Sequence, residues 1–214
     1  MQEMEGKGKG KGEPLVLREE LFLGHGVHKA SYIDPRDPSR CVKVVFRMPD
    51  YDLMKELGYR RSRRRRGLSS ELLPAYYGTV ETNKGMGYVF ERVVDYDGQP
   101  SKTLAEIFNG STERGMGFPD TEDILSRLRE MLFRERVIMR DAECGNIMLQ
   151  RLSEDGGFTV RIVDNIGTHA HIPIVYYVDY FATKHVKKYW HRLLEGIQRK
   201  YPGVLQDELK QRLW

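Results

Sequence analysis

The stretch Val137-Ile138-Met139-Arg140-Asp141-Ala142-Glu143-Cys144-Gly145-Asn146-Ile147-Met148-Leu149 decides the fold. Two short apolar segments, 137–139 and 147–149, flank a polar loop in which Asp141 stands five positions before Asn146. Downstream, Thr159 to Val163 reads as a strand that ends in Asp164-Asn165-Ile166-Gly167. A hard divalent cation such as Mg²⁺ takes oxygen ligands, and Asn146 and Asp164 supply an amide oxygen and a carboxylate. Asp141 is placed to accept a proton from an attacking hydroxyl, which phosphoryl transfer requires.

Upstream, three further features point the same way. Leu23-Gly24-His25-Gly26 follows a strand, and glycines there let backbone N–H groups approach a phosphate closely. Lys43 sits in the middle of Cys41-Val42-Lys43-Val44-Val45, where its neighbours are expected to be buried, and a lysine so placed is costly unless an anion pairs with it. Glu56, on the helix that follows, can hold that lysine; it is preferred to Glu71, which lies beside the break at Pro74. Each feature has a plain alternative when taken alone. Gly24 and Gly26 can make a hairpin, Lys43 can snorkel, and Asp164 can form a strand-end turn. In this order within one chain, they form a nucleotide site.

Around these residues the pattern reads as a sheet-rich first half and a helical second half. Leu21–Leu23 and Cys41–Phe46 read as strands separated by glycines and by the turn Asp34-Pro35-Arg36-Asp37-Pro38-Ser39. A polar helix spans about Asp50 to Arg66. Tyr76–Val80 and Gly87–Val94 then form a strand pair joined through Asn83-Lys84-Gly85. Asp120 or Thr121 can cap a helix whose apolar residues Ile124, Leu125, Leu128, Met131 and Leu132 form a buried stripe. The segment from Tyr176 to Trp214 predicts two amphipathic helices split at Pro202-Gly203.

Composition excludes several classes. The 214 residues are 40% hydrophobic and 31% charged, enough for a core and unlike a disordered or fibrous chain. The longest apolar or aromatic run, Ile174 to Val178, is far short of the roughly 18 residues a membrane span requires. Met1 to Pro14 has no apolar core for a signal peptide, and residues 5–12 alternate Gly and Lys after Glu5, the signature of a flexible leader. Cys41 and Cys144 form neither a metal-ligand spacing nor a disulfide framework, so a cytoplasmic location is expected.

The whole set resembles the protein kinase pattern: glycine loop, strand lysine, helix glutamate, an Arg-Asp-x4-Asn loop and a DFG-like Asp164-Asn165-Ile166-Gly167. More narrowly, the chain resembles the YrbL family of PhoP regulatory network proteins, within the kinase-like superfamily. The matching residues are Leu23-Gly24-His25-Gly26 with Tyr32, Cys41-Val42-Lys43-Val44-Val45, and Tyr76-Tyr77-Gly78-Thr79-Val80-Glu81-Thr82. Asp95-Tyr96-Asp97-Gly98-Gln99-Pro100-Ser101 and Val163-Asp164-Asn165-Ile166-Gly167 complete the match, which spans roughly residues 18 to 200.

The resemblance implies an α+β, bilobal protein kinase-like fold with a reduced helical C-lobe. Its parts are a leader (1–14), an N-lobe of antiparallel sheet plus one helix (15–94) and a helical C-lobe (95–214). It also implies ATP and Mg²⁺ as cofactors. Gly24, Gly26 and Lys43 would meet the phosphates, Glu91 and Val93 of the connection the adenine, and Asn146 with Asp164 the metal. Asp141 would be the base, and Glu56 would support Lys43. The expected function is an ATP- and Mg²⁺-dependent phosphotransferase; the alternative is a catalytically silent module that binds a nucleotide or a partner. Several positions depart from the kinase pattern. Lys29 stands at the third loop glycine, Met139 replaces the histidine before Arg140-Asp141, and Asn165-Ile166 replace the phenylalanine. Only 47 residues follow Gly167 and none forms an Ala-Pro-Glu element, which disfavours a peptide substrate.

Arg60 to Arg66 holds six arginines interrupted only by Ser62. It reads as a solvated helix end suited to the helix dipole, as a site for an acidic protein or other anionic partner, or as a nucleic-acid contact. The last ranks lowest, because base-stacking aromatics are not nearby and the net charge is only +4. His169 and His171, two apart with no third ligand, make a poor zinc site. Cys144 reads as a buried structural cysteine rather than a reactive thiol.

Overall fold

The computed structural model describes residues 13–26, 28–46, 50–110, 118–168, 170 and 174–214. The Gly/Lys leader up to residue 12, together with His169 and His171, lies outside them. The chain forms two compact units, one of residues 1–48 and 76–92, the other of residues 49–75 and 93–214.

The first unit is a five-stranded antiparallel sheet of β1 (Phe22–His25), β2 (Lys29–Asp34), β3 (Asp37–Val45), β4 (Tyr76–Thr82) and β5 (Gly85–Glu91), in the order β1-β2-β3-β5-β4. Alternation explains it. Ala30 and Tyr32 of β2, Val42 and Val44 of β3 and Val89 of β5 are buried with Leu15 and Leu17 in one small core. Gly87 permits that packing, because a Cβ there would lie 2.5 Å from Val42 Cγ1 and 2.9 Å from Thr82 Cγ2. The expectation of two strands before the helix is corrected to three. Strand β2 breaks no apolar run, and β2 and β3 meet at a tight turn through Pro35-Arg36 rather than across a longer connection. Asp34 holds that turn by accepting from the Arg36 backbone N–H at 3.0 Å and from its Nη2 at 2.9 Å.

The second unit begins with α1 (Tyr51–Arg65), capped by Asp50, which accepts from the N–H groups of Asp52 at 2.9 Å and Leu53 at 3.1 Å. There follow β6 (Lys102–Thr103), α2 (Leu104–Asn109), α3 (Thr121–Glu135), β7 (Ile147–Arg151), β8 (Phe158–Ile162), α4 (Asp179–Lys200) and α5 (Asp207–Leu213). Its core gathers the α3 stripe Ile124, Leu125, Leu128, Met131 and Leu132 with Trp190, Leu193, Leu194 and Ile197 of α4. Trp190 donates its Nε1–H to the Leu213 carbonyl at 2.8 Å and so ties α5 down. Helix α2 was not foreseen, although Thr103-x-x-Glu106 is a capping box: Thr103 Oγ1 accepts from the Glu106 N–H at 3.2 Å, and Glu106 Oε2 accepts from the Thr103 N–H at 2.7 Å.

The sequence places α1 between strands of the sheet, so a linear reading groups it with the N-lobe. In the structure α1 goes with the second unit. Tyr59 enters the second core, its hydroxyl accepts from the Ile138 N–H at 2.9 Å, and the Leu72 carbonyl beyond the helix accepts from the Ile162 N–H at 2.7 Å. The last passage of the chain from one unit to the other falls at Arg92–Val93.

Candidate functional site

In the first unit, Lys43 sits opposite Tyr88 on β5 and Ser31 on β2, on the sheet face away from Val42 and Val44. The side chain is buried, and its Nζ lies 4.8 Å from the Phe90 ring centroid, a cation–π arrangement that helps a lysine tolerate a dry strand. Gly24 lies within β1 opposite Ser31, and the Gly26 N–H donates to the Lys29 carbonyl at 2.8 Å, so both glycines belong to the hairpin of β1 and β2. A Cβ at either would meet nothing within 4 Å, but Gly24 has a φ of 154°, which disfavours a side chain there, whereas nothing in the hairpin demands glycine at position 26. Glu91 ends β5, and its carbonyl accepts from the Cys41 thiol at 3.9 Å.

In the second unit, two backbone pairings join the remaining residues. Ile147 of β7 pairs with Ile162 of β8, and one step further the Asn146 carbonyl accepts from the Val163 N–H at 2.9 Å, which brings Asn146 beside the strand end that carries Asp164. Met139 bridges Ile166, the Arg140 N–H donates to the Asn165 carbonyl at 2.7 Å, and the Gly167 N–H to the Ile138 carbonyl at 2.7 Å. Asp141, Asn146 and Asp164 are therefore gathered on one end of the unit, although 23 positions separate the first from the last. Asn165 takes a left-handed φ of 57°, which an asparagine tolerates better than most residues. Gly167, at φ 96°, is required: a Cβ would stand 2.8 Å from Tyr176 Oη, which accepts from the Thr168 N–H at 2.8 Å.

Arg140 clamps the two loops. Its buried guanidinium donates Nε to the Ile166 carbonyl at 3.0 Å, Nη2 to Asn165 Oδ1 at 3.4 Å and Nη1 to the Asp52 carboxylate on α1. The histidine absent at position 139 has a counterpart elsewhere. His185 of α4 stacks on Tyr189 with ring centroids 4.4 Å apart and donates Nε2–H to the Met139 carbonyl at 2.8 Å. Burial holds its pKa below the ordinary value, so it acts as a neutral donor. Asp52, Tyr59 and His185 were not singled out from the sequence, because each acts through a neighbour that is distant in the chain.

Asp141 is exposed yet densely flanked. Desolvation, and then the Glu143 carboxylate, push its pKa above the ordinary value against the Ala142 N–H and the Lys200 and Arg140 cations. That direction suits a group that must take up a proton. Glu143 itself pairs with Lys200. Cys144 is buried and its thiol is pushed up to about 12, first by desolvation and then by Glu143, so it is inert.

Glu56 is fully buried and holds Arg60. Glu56 Oε1 accepts from Arg60 Nε at 3.0 Å and Nη2 at 2.9 Å, while its Oε2 has no hydrogen-bond partner among the described residues. Val93 is buried and its carbonyl accepts from the Ser101 N–H at 3.4 Å. Beside it, Asp95 is a structural clip. Asp95 Oδ1 accepts from Ser101 Oγ at 2.6 Å and from the Arg151 N–H at 3.0 Å, and Oδ2 from Arg151 Nε at 2.6 Å. The arginine run divides in the same way: Arg61, Arg64 and Arg65 face solvent, whereas Arg63 is buried and gives Nη2 to the Ser69 carbonyl at 2.7 Å and Nη1 to the Glu135 carbonyl at 2.9 Å.

The family model of PhoP regulatory network protein YrbL matches residues 15–198. This chain belongs to the YrbL family. YrbL of Escherichia coli (strain K12) and YrbL of Shigella flexneri are each 31% identical to it over 201 residues, covering 92% of this chain and 94% of theirs. Among solved structures, WaaP in complex with acyl carrier protein aligns over 90% of this chain and 86% of that one, at 16% identity and a TM-score of 0.42. For this YrbL-family chain the mixed α/β order of elements stands as expected: antiparallel sheet, helix, two further strands, then a helical unit bearing the Arg140-Asp141 and Asp164 loops. No described helix is long and apolar enough to cross a membrane.

Among the described residues, no group of three or more His, Cys, Asp or Glu side chains could hold a metal ion. Such a cage is not what Mg²⁺ needs. Mg²⁺ keeps several waters and takes one or two protein oxygens plus substrate phosphates, which Asn146 and Asp164 fit.

Proposed function

We propose that this chain is an ATP- and Mg²⁺-dependent phosphotransferase of the cytoplasm that acts on a hydroxyl acceptor. The observation that supports this reading best is the convergence of Asp141, Asn146 and Asp164 on one end of the second unit through the Met139–Ile166 bridge and the β7–β8 register. Asn146 and Asp164 would hold Mg²⁺, which when bound neutralises phosphate charge. Lys43 would bind phosphate oxygens, with the Gly24 and Gly26 backbone N–H groups beside it and the backbone of Glu91 and Val93 serving the adenine. The acceptor hydroxyl oxygen attacks the γ-phosphorus and the bond to the β,γ-bridging oxygen breaks. ADP leaves with that electron pair, and the hydroxyl proton passes to Asp141.

Mg·ATP should raise the unfolding midpoint of the wild type by about 5–10 °C at roughly 100 times the dissociation constant. Asp164→Ala should lose that shift. Asp141→Asn should keep it while turnover falls about 10²–10⁴-fold; unchanged turnover there removes Asp141 from the mechanism.

A second reading, a catalytically silent nucleotide-binding regulator, is favoured by the departures from the kinase pattern at Lys29 and at Asn165-Ile166. Binding of Mg·ATP without phosphate transfer to water or to any small hydroxyl acceptor would select it.

A further inference from the structure

The nucleotide reading does not absorb the arginine run, and solvent accounts for Arg61, Arg64 and Arg65 but not for Arg63 or Arg66. At the end of α1, within the second unit, lies a cavity of about 270 Å³. Its lining includes Arg63, Arg66, Arg134 and Arg136, with only Glu135 and Asp179 as acids. Glu135 is already engaged: Oε2 accepts from Ser70 Oγ at 2.5 Å, and Oε1 from the Glu71 N–H at 3.2 Å and from Arg134 at 3.4 Å. Asp179 holds the other arginines loosely. Its carboxylate is 60% exposed and stands 3.5 Å from Arg66 and 3.5 Å from Arg136, one oxygen to each.

Two further observations mark the cavity. Arg136 ends α3 in the left-handed conformation, φ 47°, where glycine or asparagine is the ordinary occupant, so a strained position has been given to a guanidinium. Arg63 is buried, and its Nε has no hydrogen-bond partner among the described residues, although its other nitrogens serve Tyr59, Glu135 and Ser69. Arg134 is drawn off by Glu71 at 2.8 Å and Glu130 at 3.3 Å, but the guanidiniums of Arg63, Arg66 and Arg136 repel one another, and with Asp179 displaced they and Glu135 leave the lining two positive charges in excess. A tetrahedral dianion matches that excess and can accept from several guanidinium forks at once, which a planar carboxylate spanning two arginines at 3.5 Å does not achieve.

We propose that this cavity binds a phosphate dianion, free or as the terminal phosphomonoester of a small ligand. Arg66 and Arg136 are its principal donors, and Asp179 is the internal carboxylate it displaces. The site is separate from Asp141, Asn146 and Asp164 and does not depend on the nucleotide reading.

The test is titration of the full chain with inorganic phosphate, in phosphate-free buffer without nucleotide, followed by calorimetry and by thermal unfolding. A parallel titration uses glycerol 3-phosphate. Arg136→Gly suits the left-handed backbone and should fold; it should weaken phosphate about tenfold or more. Asp179→Asn removes the competitor and should tighten binding several-fold. Asp164→Ala should leave the phosphate response intact, which separates this site from the nucleotide site. Tighter binding of glycerol 3-phosphate than of inorganic phosphate assigns the ligand as an ester; the reverse assigns free phosphate. Equal responses in wild type and Arg136→Gly, loss of the response in Asp164→Ala, or weaker binding in Asp179→Asn each overturn the proposal. So does binding of a poly-glutamate peptide by a chain that ignores both phosphates, which would make the surface a docking site for acidic protein.

Discussion

The two units solve the same problem, holding polar functional groups on a dry scaffold, in different ways. The first sets Lys43 on a regular strand whose neighbours are fixed by sheet register, above a core of seven buried hydrophobic residues. The second hangs Asp141, Asn146 and Asp164 on irregular loops and fastens these with long-range bonds. Arg140 reaches Asp52, Asn165 and Ile166, Tyr59 Oη accepts from the Ile138 N–H, and Tyr176 Oη accepts from the Thr168 N–H. A strand positions its side chains by period alone, whereas a loop needs a separate donor for each carbonyl it leaves unpaired. The second design should therefore be the more sensitive to single polar substitutions, and the first to changes in volume.

The largest expected effect tests the first half of that statement. Arg140→Ala should cost about 2–4 kcal/mol, because it leaves two loop acceptors without their buried donor, while the half-exposed Asp52 carboxylate is rescued by water. Urea unfolding of the variant measures it, and a loss under 1 kcal/mol would mean that the loops are held by their backbone pairings alone. Next come two glycine substitutions that separate the units. Gly87→Ala should cost about 1–3 kcal/mol by overpacking the first core against Val42 and Thr82. Gly167→Ala should cost a similar amount, about 1–3 kcal/mol, from its positive φ and from displacing Tyr176 Oη. Only Gly167→Ala should also lower turnover, since it lies on the loop of Asp164; equal turnover in both would break the distinction.

The smaller effects concern pH. Burial would raise the Asp34 pKa, but the Arg36 side-chain and backbone donors outweigh it and hold it below the ordinary value. Its folded value is thus below its unfolded value, and the stability it contributes is present above the unfolded pKa and lost as pH falls through the folded one. Asp34→Asn should cost about 1 kcal/mol near neutrality, with Arg36 largely exposed, and the difference from wild type should vanish in acid. Asp141 has the opposite sign. Its raised pKa means that ionisation opposes folding, so Asp141→Asn should slightly stabilise the chain above that pKa, by well under 1 kcal/mol, and not below it. Thermal unfolding across pH 3 to 8 reads both; a destabilising Asp141→Asn at neutral pH would mean that the carboxylate has a structural partner.

Legibility of the fold followed how local the cause was. Helix α3 was readable because five apolar residues fall on one face, and the β4–β5 pair because Asn83-Lys84-Gly85 turns between two strands. Strand β2 escaped notice because it alternates buried and half-buried residues without an apolar run, and α2 because its only signal is the Thr103–Glu106 box over six residues. Among the candidate residues, the spacing from Asp141 to Asn146 and the strand end at Asp164 could be read directly, since turn geometry and strand register act over a few residues. The Glu56–Arg60 pair could not, because Arg60 lies one helical turn away in a run whose six arginines look alike in sequence.

By itself the sequence determined the membership of the YrbL family, the order of strands and helices around the Arg140-Asp141 and Asp164 loops, and the oxygen-rich chemistry of Asp141, Asn146 and Asp164. Only the tertiary structure decided that α1 goes with the helical unit, that Arg63 is buried while Arg61, Arg64 and Arg65 are exposed, and that Asp179 spans two arginines. The physical reason is that hydrophobic periodicity announces which face of a helix will be buried, whereas α1 buries Glu56, Tyr59 and Arg63 beside Leu53. A charged residue becomes an interior one only when a distant carbonyl or carboxylate arrives to receive it, and that arrival is a property of the folded chain.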